Sequence, residues 1–422
     1  MTRHQTIDFS KFTNRAVNFL QRTHFLARRY IQNVVWQPYL QQVTDTGVNV
    51  LWATHTGSQP AVQYGLGAND KVTVAGYSRR IEALDMQLHR VQLTGLQPDT
   101  HYHYQIYVDD RLLPPRKSLS FRTAPSVGSD TPFTFIAFGD YGNGSAAQKR
   151  LRNQMRRDSF RFMLTTGDNS QGEGTYQQLD RMVFQVYETI FSQVPVFPAL
   201  GNHDYLTDQA APYLNIFDVP QNARQEKDVK RYYSFTYGNV EFIVLDTTPL
   251  VKASDPSTCE AMLHWLHQEL SPSSQFWKIV VCHHPPHNAG HHGVNPRIKT
   301  KLIPIFEAYD VNVVLSGHQH NYQRSKPLRQ EQVTTMEEGG ILYIVSGAGA
   351  AALHTCDEAE WLARTIASVK HGIYNRFTVG GDTMTIEAID DQGNVVDICT
   401  LNKSSSVATP VIDKKRDFFS TD

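Results

Sequence analysis

The sequence predicts an α/β protein of two parts, an all-β sandwich followed by a layered α/β domain. Three observations carry that expectation. Between about residues 34 and 124, short runs rich in β-branched and aromatic residues alternate with turn residues. After Pro125-Ser126-Val127-Gly128-Ser129-Asp130, strand-length apolar runs begin to alternate with helix-length segments. A chain of 422 residues, 40% hydrophobic and 19% charged, is large enough for two or three cores.

Residues 1–33 form the first segment. Six basic residues stand there against Asp8 alone, a local charge of +5. The segment reads as a helix with a solvated basic side, and weak contact with an anionic membrane surface is the sharper alternative. Gln21, Arg22, Thr23 and His24 interrupt its apolar residues, so it is not a recognisable signal peptide. No apolar run in the chain reaches the ~18 residues that span a bilayer. A cytoplasmic location is the expectation for the chain as encoded.

The sandwich is expected over 34–124, with strands at 48–54, 61–65, 72–76, 87–93, 101–107 and 118–123. His101 and His103 share one face of their strand, where surface or packing roles are expected. The second domain is expected over 131–401. Its strands read at 133–138, 160–166, 242–245, 278–281 and 311–316, and its helices at 145–158, 175–191, 260–270 and 298–309. It closes on β segments at 341–346, 376–379 and 383–389, and 402–422 reads as a flexible tail. The four cysteines form no C-x-x-C pair and read as ordinary thiols. Forty basic residues against 41 acidic ones leave a net charge of -1, which excludes a chain-wide field for nucleic acid.

Acid and imidazole residues recur where strands end: Gly139-Asp140, Gly167-Asp168, Gly201-Asn202-His203-Asp204, Cys282-His283-His284 and Gly317-His318-Gln319-His320. Ligands bind open α/β sheets beyond the carboxyl ends of the strands, so these five loops converge on one place. Each alone is an ordinary turn or surface pair. Two Asp, one Asn and three His from among them would make a hard oxygen and imidazole set suited to Zn, Mn or Fe. Six ligands exceed what one open catalytic ion takes and suit two ions with a bridging carboxylate.

The series Gly-Asp-x-Gly, Gly-Asp, Gly-Asn-His-Asp, Val-x-x-His and Gly-His-x-His resembles the signature of the calcineurin-like metallophosphoesterases. Its branch is similar to the purple acid phosphatases, whose N-terminal domain is a fibronectin-III-like sandwich. The resemblance spans about residues 34–400 and implies a layered αββα catalytic domain. It also implies that Asp140 and His320 bind a first metal, that Asp168 bridges, and that Asn202, His283 and His318 hold a second. His203, oriented by Asp204, would then be the general acid against a hydroxide generated from water at the ions. His291 or His292 resembles the family's phosphate-contacting histidines, and a one-residue gap in that loop leaves the choice between them open.

The chain departs from the branch at Gln171, where the tyrosinate that colours those enzymes would stand. With only Asp140 and Asp168 supplying charge, two divalent ions are the better match. The implied function is hydrolysis of a small-molecule phosphate ester, foremost a monoester. A phosphodiesterase or nucleotide phosphohydrolase is the alternative on the same site. A binding module with an inactive catalytic half is the non-enzyme alternative, and it would be expected to lack ligands that are all present here.

Overall fold

The computed structural model describes residues 33–403 except 68–69, 114–117, 253–255 and 367–370. All but the last residue of the helix expected over 1–33, and most of the tail expected over 402–422, lie outside the described residues.

The first domain packs two antiparallel sheets. One has the order β1 (Val34–Gln41), β2 (Gly47–Thr54), β6 (Met86–Thr94), β5 (Tyr77–Ile81). The other runs β4 (Val72–Ala75), β3 (Pro60–Gly65), β7 (His101–Val108), β8 (Arg111–Leu113), with β9 (Leu119–Arg122) also on β7. Side chains on a strand alternate between faces. In β7, Tyr102, Tyr104, Ile106 and Val108 therefore enter the core while His101 and His103 face solvent.

The second domain stacks two sheets. In the first, the order is β12 (Val196–Pro198), β11 (Met163–Thr165), β10 (Phe133–Phe138), β22 (Ile373–Gly380), β23 (Thr383–Asp390), β24 (Val395–Asn402). In the second it is β13 (Tyr233–Tyr237), β14 (Val240–Leu245), β15 (Trp277–Cys282), β16 (Val313–Ser316), β20 (Leu342–Ser346), β17 (Tyr322–Ser325), β21 (Leu362–Ile366). The two-residue strands β18 (Leu328–Arg329) and β19 (Gln332–Val333) pair with each other.

The even and odd residues of one strand explain the layering. Phe242 and Val244 of β14, with Ile279 and Val281 of β15, join the cluster between the sheets. Their neighbours Ile243, Leu245, Val280 and Cys282 belong to a second cluster with Trp265, Leu266, Leu302 and Phe306 of the helices Pro256–Leu270 and Pro296–Ala308. Strands buried on both faces read as continuous apolar runs, as these do. On the opposite sheet, Leu151 and Met155 of the helix Ala146–Met155 are fully buried. Helix, sheet, sheet, helix is the resulting order. Between the sheets, Phe135 stacks on Phe162 and Phe377 at 4.9 and 4.6 Å and meets Phe242 edge-on at 5.2 Å.

Two expectations change in detail. The strand expected from 160 begins at Met163, because residues 160–162 lead in through a bend. The helix expected over 175–191 opens on a Thr175/Gln178 capping box and passes through a π turn, Leu179–Phe184, before Gln185–Phe191.

The sandwich docks through β1. Trp36 stacks on Phe184 at 4.2 Å, and its indole N–H donates to Asp180 at 2.7 Å. Gln41 donates to the Val196 carbonyl, at the start of β12, and its own amide oxygen accepts from the Asp218 N–H at 2.5 Å.

Candidate metal centre

Register places the site. β10, β11 and β12 are parallel and end level, with Phe138 beside Thr165 and Thr165 beside Pro198. In the facing sheet, Cys282 of β15 lies beside Ser316 of β16. Asp140, Asp168, Asn202, His283, His318 and His320 each follow one of these ends by one to four residues.

The turns that carry them are tight. Asp140, Asp168 and His318 have φ of 56°, 49° and 68°, left-handed backbone that side-chain-bearing residues rarely adopt and that clusters at functional sites. Glycines let neighbouring turns close on them. A Cβ on Gly317 would lie 2.5 Å from Asp140 Oδ2, and one on Gly201 would strike the Asp168 backbone and carboxylate.

Each carboxylate is anchored by one oxygen and presents the other. Asp140 Oδ2 accepts the His318 N–H at 3.0 Å, and Asp168 Oδ1 accepts the His203 N–H at 2.8 Å. Asp140 Oδ1 and Asp168 Oδ2 are buried and have no hydrogen-bond partner among the described residues. The imidazoles repeat the scheme. His283 Nδ1 donates to the Thr166 carbonyl at 2.9 Å, and His320 Nδ1 donates to that of Ala352 at 3.0 Å. A neutral ring held this way turns an Nε2 lone pair to the site.

Those lone pairs meet other acceptors. His283 Nε2 is 3.0 Å from Asn202 Oδ1 and 3.3 Å from Asp168 Oδ2, and His320 Nε2 is 3.4 Å from Asp140 Oδ1. Acceptors aimed at one another need positive charge between them. The protein supplies what it can with protons: burial lowers the His283 pKa, but Asp168 beside it outweighs that and lifts it to about 9. His318, buried and facing His283, is instead held down at about 3. The two orphaned carboxylate oxygens and the inward lone pairs fit cations. Donor atoms of Asp140, Asp168 and His283 lie within 4.8 Å of one another, as do those of His283, His284 and His318.

His203 stands at the edge of this set, its Nε2 3.9 Å from Asp168 Oδ2. One expectation is corrected here. The group orienting its ring is the Gly172 carbonyl, 2.7 Å from Nδ1, and not Asp204. Asp204 opens a 3-10 turn, and consecutive residues on such a turn project in different directions. Its buried Oδ2 faces back under the loops to accept from Gly201 N and from Asn169 N and Nδ2, at 2.9, 3.3 and 3.1 Å. Burial, then the Asp168 charge, pushes its pKa up to about 7.

Gln171 replaces the tyrosine with an amide whose Nε2 is buried and unpartnered. Tyr176, the nearest following tyrosine, has its hydroxyl on Asn215 at 2.6 Å. His291 and His292 do reach the site's rim, with the His292 ring 4.7 Å from that of His318. Sequence reasoning named His284 without giving it a role and missed His354. His284 is buried, 4.6 Å from the His318 ring and 2.9 Å from Thr247 Oγ1 through Nδ1. His354 stacks on His320 at 4.3 Å and 16°. Its stretch, Ala352-Leu353-His354-Thr355, carries no motif that would single it out.

Residues 133–322 match the family described as Calcineurin-like phosphoesterase, and residues 36–123 match the Purple acid Phosphatase N-terminal domain. Purple acid phosphatase 17 of Arabidopsis thaliana is 29% identical over 249 residues, which cover 53% of this chain and 70% of that protein. Tartrate-resistant acid phosphatase type 5 of Rattus norvegicus is 24% identical over 55% of this chain and 75% of its own length. Among solved structures, a purple acid phosphatase from seeds of yellow lupin (Lupinus luteus) shares the fold with a TM-score of 0.74 and 20% identity. That likeness covers 87% of this chain and 74% of the lupin chain.

Proposed function

The chain joins a calcineurin-like phosphoesterase domain to a purple acid phosphatase N-terminal domain, and from that premise we propose that it hydrolyses phosphate monoesters on a pair of divalent ions. One observation carries the reading: two buried carboxylates, each anchored through one oxygen, turn an unpartnered oxygen into a cage of imidazole lone pairs.

In this reading Asp140 and His320 would hold one ion and Asn202, His283 and His318 the other, with Asp168 shared between them. Ions held there would supply Lewis-acid charge for the phosphoryl oxygens and would lower the pKa of water towards about 7. The chain's own residues do the rest. The backbone N–H groups of His203 and His318 fix the two carboxylates, so the cage is preorganised. With Nδ1 on the Gly172 carbonyl, His203 keeps Nε2 towards the site, where in its protonated form it delivers a proton to the leaving oxygen. Asp204 contributes by bracing the loops after β11 and β12. His291 and His292 face the substrate from the rim. With Gln171 in place of the tyrosine, the metal-loaded protein has no tyrosinate colour.

The test is Asp168→Asn. Metal content per chain, measured by mass spectrometry, should fall by two ions, and turnover of a phosphate monoester should drop to background. An Asp168→Asn protein that keeps its full metal content and near-normal turnover would end the two-ion assignment.

A further inference from the structure

A second histidine cluster adjoins the first without sharing a member. Donor atoms of His291, His292 and His354 lie within 4.8 Å of one another. The rings of His291 and His292 are 4.0 Å apart, and those of His291 and His354 are 4.3 Å apart at 83°. Two loops are stapled to bring them together. Gly290 forms a β-bridge with Cys356, and the Asp357 N–H donates to the Ala289 carbonyl at 2.8 Å. His354 N–H donates to the His320 carbonyl at 2.9 Å, while buried Gln319 accepts the His292 N–H through Oε1 at 3.2 Å. Gln319 Nε2 makes only a long contact, 3.4 Å, with His291 Nδ1. His354 Nδ1 is buried and has no hydrogen-bond partner among the described residues.

We propose that His291, His292 and His354 form a third cation site on the rim of the metal centre. Three imidazoles with no carboxylate or thiolate among them suit Zn, Cu or Ni rather than Mg or Ca. Three protein ligands leave a coordination position open, as catalytic zinc sites do. The proposal goes beyond the dinuclear reading, since His354 belongs to neither ion of the pair.

The experiment counts zinc on the full chain. Protein stripped with a chelator is reloaded with Zn2+, freed of excess by gel filtration and analysed by mass spectrometry, and a zinc-edge anomalous map locates the ions. Three zinc per chain are expected in the unaltered protein, with one anomalous peak among the three imidazoles. His354→Ala should bind two. His354→Phe, which keeps the ring stacked on His320 but removes the nitrogens, should also bind two and guards against a fold lost with the side chain. Asp168→Asn should retain the rim ion alone. A single zinc in the unaltered protein, located on the rim, would sink the dinuclear reading and leave this proposal standing. Two zinc per chain with no peak on the rim, or a third zinc that survives His354→Phe, would overturn it.

Discussion

The chain contains two His-x-His pairs, and they meet opposite fates. His101 and His103 lie within β7, on one face of the sandwich, both exposed, with their rings 5.0 Å apart. His318 and His320 lie past the end of β16, where His318 takes φ of 68° and its N–H reaches Asp140. The spacing is identical. What differs is the backbone and the company: the first pair rides a regular ladder that aims it at water, the second leaves its strand and turns towards carboxylates from the other sheet. Spacing alone proposes ligands; a strand end with a left-handed turn is what brings such a pair to buried carboxylates.

That contrast can be broken from the turn side. Gly317→Ala puts a methyl group 2.5 Å from Asp140 Oδ2 and 2.9 Å from the Thr166 carbonyl, both in buried surroundings. The turn must shift, so metal content and turnover should collapse together, with stability lowered by about 1–3 kcal/mol as for overpacked cores. Metal analysis beside thermal melting checks it, and full metal occupancy at normal turnover would contradict it.

A smaller effect is expected from the side chain at the cage's edge. His203→Ala should slow an alkyl phosphate by roughly 10²–10⁴, and a nitrophenyl phosphate far less, because only the alkoxide needs a proton to leave. Rates at matched metal occupancy decide it: equal losses on both substrates would remove the general-acid role. The smallest effect belongs to the other pair. His101→Ala with His103→Ala should leave metal content and turnover unchanged, and a lost ion there would mean that a flat strand can serve as well as a turn.

Much of this was legible in the sequence because burial on both faces writes strands as apolar runs. Phe133–Phe138 and the approach to Ser316 are plain for that reason. Polar edge strands are not: β5, Tyr-Ser-Arg-Arg-Ile, is half-exposed and has no such run. The six ligand candidates stood out because a glycine or a strand end marks each. Asp204 was visible as a residue but not as a brace, since its carboxylate is turned back to Gly201 and across to Asn169, a residue from a different strand end. His354 was illegible for a similar reason. The pairing of the 289–290 and 356–357 segments carries it to His291.

The level strand ends also constrain when the protein can acquire its metal. The cage draws on five segments from Asp140 to His320, and β10, which carries Asp140, has β22 as one of its two neighbours, pairing Phe133 with Val379. No fragment shorter than residues 140–320 holds the set. At about 5–20 residues per second of synthesis, the ribosome needs roughly 10–40 s to pass from Asp140 to His320. For that interval the nascent chain carries carboxylates and histidines without a cage, and β10 waits longer still for its second neighbour. Metal acquisition is thus a late event, one that rewards a finished topology instead of seeding it.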